Sequence, residues 1–324
     1  MPTRYGPPID VQLRQLTKVA VMYHEQGIRQ AQIAQTLGLS QAKVSRLLKR
    51  AESLGIVRTT VSIAPGLHTE LEGRLEKAHG LDEAVIVDVD DTADDAETIA
   101  AIGGAAAAYL EGVFTGDDRV GISSWSQTLL ATVDRMRPAV TPAVSQVVQL
   151  LGGVGVPEVQ TQAQRLAGEF ARLLGGAPYF VQAPGLVRDR ATRDSLMREP
   201  GLAAVTQRWR ELTVAVVGVG SIEPSDLLAE SGNAFDTRDT EALLAAGAVG
   251  DICHRVFRID GTPVDGDIDD RTISIPTADF LAIPRRIGIA GGSRKLAPVR
   301  GALAGRWVNT LITDAKTAEA LLDA

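Results

Sequence analysis

The 324-residue sequence predicts an α/β protein in two parts. The first is an N-terminal winged helix-turn-helix and the second a mostly parallel α/β domain. Three observations carry this reading. Residues 30–50 set two short helical patterns on either side of a glycine. From Leu67 onward, short apolar runs alternate with helical periods, as in a parallel sheet covered on both faces. Charge also changes sign along the chain: residues 1–66 hold nine Lys/Arg against three Asp/Glu, a net of +6, and the rest holds 24 against 37, a net of −13. A basic module joined to an acidic body is the split expected of a nucleic-acid reader with a regulatory domain. The parts are placed at 1–65 and 66–324.

Taken in order, Leu13, Leu16, Ala20 and Tyr23 recur at helical spacing, so a first helix is expected over 10–25, closed by Gly27. Ile33, Leu37, Val44 and Leu47 fall where two crossed helices bury apolar side chains, with the small Ala34 at the crossing. Gly38 ends the first of that pair, because glycine enters the left-handed conformation without steric cost. Ser40 caps the second, and Leu39 and Val44 stand at the positions of a hydrophobic staple. Gln41, Ala42, Lys43, Ser45 and Arg46 lie on the first turns of the second helix, on the side left free by Val44 and Leu47. Gln pairs with adenine and Arg with guanine across a major groove. Lys49 and Arg50, one turn later, suit phosphates. The plainer alternative is an αα-hairpin with a solvated basic face, but spacing, glycine, cap and basic outer face agree on a DNA-reading pair. Residues 56–63 are β-branched and expected as a strand or hairpin arm, a wing with Arg58 near a phosphate, before Pro65-Gly66 ends the part.

Composition excludes several classes. No run approaches the ~20 apolar residues of a membrane span, and the polar, proline-containing N-terminus is not a signal peptide. One cysteine, Cys253, forms no intrachain disulfide, which fits a cytoplasmic protein. It sits in an apolar, strand-like run and reads as a core residue rather than a nucleophile. His24, His68, His79 and His254 do not cluster by spacing, so no metal site is expected, and no cofactor.

In the second part a connecting helix is expected over 67–79. Strands follow at 84–89, 119–122, 144–151, 179–183, 214–219, 287–290 and 310–313. Helices are expected over 93–112, near 127–136, over 158–174, near 190–210 and 225–246, over 294–304 and from 315 onward. The acidic run 88–95 reads as a solvated loop. Asp260-Gly261, between two short apolar runs, reads as the turn of a small antiparallel flap.

Ligands of such sheets bind outside the carboxyl ends of the strands, and four loops there stand out. Gly121–Thr128 offers hydroxyls and backbone N–H groups at a helix start, which suits an anion; its alternative is a serine-rich capped turn. Gly152-Gly153-Val154-Gly155 permits either close approach of a ligand or a tight turn. Gly218-Val219-Gly220-Ser221 begins like a dinucleotide fingerprint but has Glu223 where the third glycine belongs, so a substrate-facing loop is the better reading. In Gly291-Gly292-Ser293-Arg294-Lys295 two cations oppose a helix dipole, a conflict that a bound anion relieves. Lys295 is the candidate there, and Arg294 reads as solvated. Asp251 either accepts sugar hydroxyls or is a turn aspartate.

At this point the chain resembles the SorC/DeoR-type bacterial transcriptional regulators with a sugar-binding effector domain, over nearly its whole length. The resemblance is carried by residues 27–34, 40–48, 120–129 (Val-Gly-Ile-Ser-Ser-Trp-Ser-Gln-Thr-Leu), 150–153, 217–221, 248–252 with Asp260-Gly261, and 289–295 (Ile-Ala-Gly-Gly-Ser-Arg-Lys) before Gly301-Ala302-Leu303. It implies a fold similar to ribose-phosphate isomerase and glucosamine-phosphate deaminase. It also implies a phosphorylated sugar or polyol effector, homodimers or homotetramers on palindromic operator DNA, and weaker binding or altered assembly with effector. By the same resemblance Ser124, Trp125, Ser126, Gln127 and Thr128 hold the phosphate or neighbouring oxygens. Gly152, Gly153, Gly218 and Gly220 line the pocket, Asp251 binds hydroxyls and Lys295 the phosphate, with Gln162 a further candidate. Ser126 departs from the family, where many relatives carry glycine. The competing function is a sugar-phosphate isomerase- or deaminase-like enzyme, but the loops offer no evident base–acid pair, and a shared fold does not confer chemistry.

Overall fold

Apolar spacing sets the phase of three helices in the first unit: α1 (Val11–Ala20), which runs on into a π-helical turn (Val21–Glu25), α2 (Gln30–Leu37) and α3 (Gln41–Ser53). The computed structural model describes residues 11–57 and 66–323, and the chain divides into two units between Ala64 and Pro65. Val19, Met22, Ile33, Ala34, Val44 and Leu48 form one buried cluster of the first unit, and Leu16, Ala20 and Ala51 a second. Two details differ from the sequence reading. Leu13 and Tyr23 are 48% and 38% exposed, because the stripe that meets α3 runs through Leu16, Val19, Ala20 and Met22. Leu48 is buried more fully than Leu47, since it lies one turn after Val44 on the same face.

Gly38 takes φ 64° and ψ 33°. Its N–H and that of Leu39 return to the carbonyls of Gln35 and Ala34, the bond pattern that ends a helix on a left-handed glycine. Ser40 Oγ accepts the Lys43 N–H at 3.3 Å, which starts α3 as the cap predicts. Ile56 and Val57 pack against the Leu16–Ala51 cluster. The remainder of the expected wing, Arg58 included, lies outside the described residues.

Among the described residues the second unit has ten strands: β1 (Glu83–Val87), β2 (Asp118–Ile122), β3 (Val144–Gln149), β4 (Ala177–Tyr179), β5 (Val214–Gly218), β6 (Gly220–Ser221), β7 (Ala248–Ile252), β8 (Arg255–Arg258), β9 (Arg285–Ile289) and β10 (Thr310–Asp314). Seven form a parallel sheet in the order β1-β10-β9-β5-β2-β3-β4, and β6-β7-β8 form a small antiparallel sheet. Along β5, Val214 and Val216 enter the core on one face with Ile122, Ile287 and Phe170. Ala215 and Val217 enter the other with Leu150, Leu311 and Trp307. Both faces are covered, so the strand reads as one apolar run. The chain steps outward from β2 to β3 and β4, then returns to the far side of β2 as β5. The boundary between β2 and β5 is therefore a topological switch point, where loops diverge and leave a crevice.

The flap forms, with one turn more than expected. Cys253 and His254, at φ 53° and 61°, join β7 to β8, so Cys253 is a buried turn residue rather than part of a strand. At Asp260-Gly261 the chain folds back once more, with Val264 N–H donating to Val256 O at 2.9 Å. The acidic run also does more than face water. Asp94 and Glu97 make a capping box that starts the helix Asp95–Val113. Among the described residues no helix is long and apolar enough to cross a membrane.

Candidate functional site

Helix α3 turns Val44, Leu48 and Ala51 inward and leaves Gln41, Ala42, Lys43, Arg46, Lys49 and Arg50 exposed, with Ser45 half-buried. By helical periodicity Ala42, Arg46 and Lys49 form the ridge opposite that buried face, flanked by Gln41 and Ser45 on one side and Lys43 and Arg50 on the other. The seven residues thus share one outer surface with four cations on it.

In the second unit a cavity of about 480 Å³ opens at the carboxyl edge of the sheet. Its walls are the loops after β2, β5 and β9, the Cys253-His254 turn and the first turn of the helix Asp95–Val113. Trp125, Ser126, Gln127, Thr128, Gly218, Gly220, Asp251 and Lys295 all line it. Ser126 Oγ accepts the Leu129 N–H at 3.2 Å and caps the helix Gln127–Val133, so N–H groups of that helix start lie at the cavity wall. Two glycines are required by close approach. A Cβ on Gly218 would stand 2.7 Å from Ser126 Oγ, and one on Gly220 only 1.9 Å from Asp251 Oδ1. Asp251 is buried, and its Oδ2 accepts the His254 N–H at 2.9 Å. Lys295 Nζ lies 3.4 Å from Ser221 Oγ. Crowding by protein pushes its ammonium below the usual lysine range, against a smaller upward pull from Asp251.

Four expected site residues are placed elsewhere. Ser124 is buried and donates from Oγ to Leu151 O at 2.6 Å. A Cβ on Gly152 would lie 2.3 Å from the Pro184 carbonyl, and one on Gly153 would lie 2.8 Å from the Gln149 amide. These glycines let two chain segments cross, with Gly153 N–H donating to Val181 O at 3.2 Å. Gln162, on the helix Pro157–Leu174, accepts from Arg165 Nε at 3.3 Å. For Gly152, Gly153 and Gln162 the reason is topological, since they follow β3, which is on the other side of β2 from β5.

Ser123, within the hydroxyl-rich loop singled out above, lines the cavity as well, and sequence reasoning missed Asp95, Thr98, Asp226 and His254. Asp314 lies behind the wall. It caps the helix Ala315–Leu322, and its Oδ2 accepts the Gly292 N–H at 2.7 Å, while Thr317 Oγ1 accepts the same N–H at 2.9 Å. The Asp-x-x-Thr spacing was a visible cap signal. Arg294 is not merely solvated. Its guanidinium reaches Asp95 at 3.9 Å and Glu223 at 3.5 Å.

Comparison with known proteins decides the family. Residues 65–323 match the family described as "Putative sugar-binding domain", and residues 20–58 match a winged helix-turn-helix DNA-binding family. The chain is 31% identical to the sorbitol operon regulator of Klebsiella pneumoniae over 96% of its own length and 98% of that protein. It is also 31% identical to the deoxyribonucleoside regulator of Bacillus subtilis, over 97% and 99%. The crystal structure of the full-length Klebsiella pneumoniae sorbitol operon regulator superposes with a TM-score of 0.72 at 30% identity, covering 96% of this chain and 98% of that one. The chain belongs to the SorC/DeoR family of sugar-binding transcriptional regulators. This regulator pairs a helix-turn-helix, built as its sequence predicts, with a sugar-binding α/β domain. In its cavity the Ser126 hydroxyl caps a helix, and Gly218 leaves room for it.

Proposed function

We propose that the regulator senses a phosphorylated sugar or polyol in this cavity and that occupancy lowers the hold of α3 on operator DNA. The observation that carries the reading is that Lys295 and Asp251 line one cavity at the β2/β5 switch point. A phosphate suits Lys295 and the backbone N–H groups at the start of the helix Gln127–Val133. Gln127 and Thr128 suit its neighbouring oxygens, and Asp251 accepts from sugar hydroxyls. Trp125, Ser126, Gly218 and Gly220 shape the wall. On the DNA side, Gln41, Ala42, Ser45 and Arg46 read base edges, while Lys43, Lys49 and Arg50 hold phosphates. A homodimer or homotetramer would address half-sites about 34 Å apart, or a multiple of that.

We read the cavity as a sensor of cytoplasmic metabolites that does not turn them over; the relatives' names as regulators of operons and of transcription support this. The test begins with selection of binding sites from random duplexes by the full-length protein. The selected duplex is then challenged with sugar and polyol monophosphates in a mobility-shift assay. Release by at least one of them, with the ligand recovered unchanged, is the expected result. Indifference to all of them, or conversion of one, would overturn the reading.

A further inference from the structure

His254 is the buried group of the cavity that the proposed function leaves unused. It sits with Cys253 in the turn between β7 and β8, both at positive φ, a region few non-glycine residues enter, though His does so more often than most. His254 is 2% exposed and is among the residues that line the cavity. Neither Nδ1 nor Nε2 has a hydrogen-bond partner among the described residues. Phe235 packs on it, with ring centroids 4.9 Å apart. Asp251 is engaged with the backbone N–H of the turn. Buried polar atoms are nearly always paired, and an unpaired one carries its full desolvation cost. Burial also holds the imidazole below its usual range and so neutral, with one nitrogen a donor and the other an acceptor.

We propose that His254 is a ligand-contacting residue of this cavity, and that its ring pairs with a hydroxyl or carbonyl oxygen of the bound sugar beside the oxygen taken by Asp251. This rests on the reading of the cavity as a sugar-phosphate site and narrows it. A site with a buried donor and acceptor rejects a ligand that brings only hydrogen to that point, because the nitrogens then stay unpaired. The regulator therefore discriminates against deoxy analogues at the position facing His254, while the phosphate end is read by other residues.

The test is calorimetric titration of the full-length protein and of His254→Gly, a residue suited to the positive φ. The ligands are inorganic phosphate, sorbitol 6-phosphate, fructose 6-phosphate, ribose 5-phosphate and 2-deoxyribose 5-phosphate. For the sugar phosphate that binds wild type best, His254→Gly is expected to lose about tenfold or more in affinity, with inorganic phosphate changing by less than about threefold. Equal sugar-phosphate affinity in both proteins would overturn the assignment, and so would a parallel loss for inorganic phosphate, which would make the ring a support for the whole pocket. If no sugar phosphate binds wild type, the cavity reading itself fails and the His254 contact fails with it, a result distinct from equal binding by both proteins. Should His254→Gly not fold, His254→Ala also removes both nitrogens and carries the same expectation and the same overturning outcomes.

Discussion

Gly220 and Asp251 lie opposite each other across the β6–β7 pairing, so close that a Cβ on the glycine would stand 1.9 Å from the carboxylate Oδ1. The carboxylate occupies the space a side chain would take, and the glycine fixes where it points. Gly220→Ala must therefore displace Asp251. The expected result is loss of the thermal shift given by sugar phosphates while the selected operator duplex is bound as in wild type, and an unchanged thermal shift would refute it.

Lys295 makes a prediction in pH. Its folded value is depressed below the ordinary 10.5, chiefly by burial. Between the folded and unfolded values the unfolded chain binds more protons, so stability rises with pH across that window as the buried ammonium is neutralised. Lys295→Met removes this rise. Urea unfolding of both proteins from pH 8 to about 10.5 should give a steeper upward slope for wild type; parallel curves would show that the amine is not desolvated. The same variant should lose its response to sugar phosphates.

Ser126 serves two ends at once. Its hydroxyl caps the helix Gln127–Val133, and loss of such a cap costs about 1 kcal/mol. Ser126→Ala should lower the denaturation midpoint accordingly and widen the wall facing Gly218, altering the order of preference among sugar phosphates. A variant as stable as wild type would separate the hydroxyl from its capping role.

On α3, Arg46 and Lys49 should behave differently. Arg46→Ala is expected to cost about 1–3 kcal/mol on the selected duplex and to relax preference at one base pair. Lys49→Ala should weaken all duplexes alike and reduce the slope of log affinity against log salt by about one. Identical behaviour of the two variants on matched and mismatched duplexes would contradict the division between base and phosphate contacts.

Most of the architecture was legible because local and long-range demands agree. Gly38 ends α2 and Ser40 caps α3, while Val44, one turn in, is buried in the core that their turn brings together, and along β5 the apolar run itself states that both faces are covered. The cavity was legible only in part. Gly152-Gly153 and Gly218/Gly220 look alike in sequence, since each promises a close approach. Which one meets a neighbouring chain segment and which one meets the cavity depends on strand order, and no local pattern encodes that. His254 was invisible for a related reason. Its burial and its unpaired nitrogens arise from a left-handed turn at Cys253-His254, which neither residue announces. Asp314 carried a readable cap, but its second task, holding Gly292, appears only when β9 and β10 lie side by side.

The two bonds to the Gly292 N–H, from Asp314 and Thr317, have a wider consequence. The backbone beside Lys295 is held by bonds within the protein itself, and a loop anchored in that way spends little ordering entropy on binding. A side chain on a neighbouring turn, such as His254, can then be exchanged without rebuilding this loop. An anchored frame of this kind separates the shape of the site from the contacts that give it its selectivity.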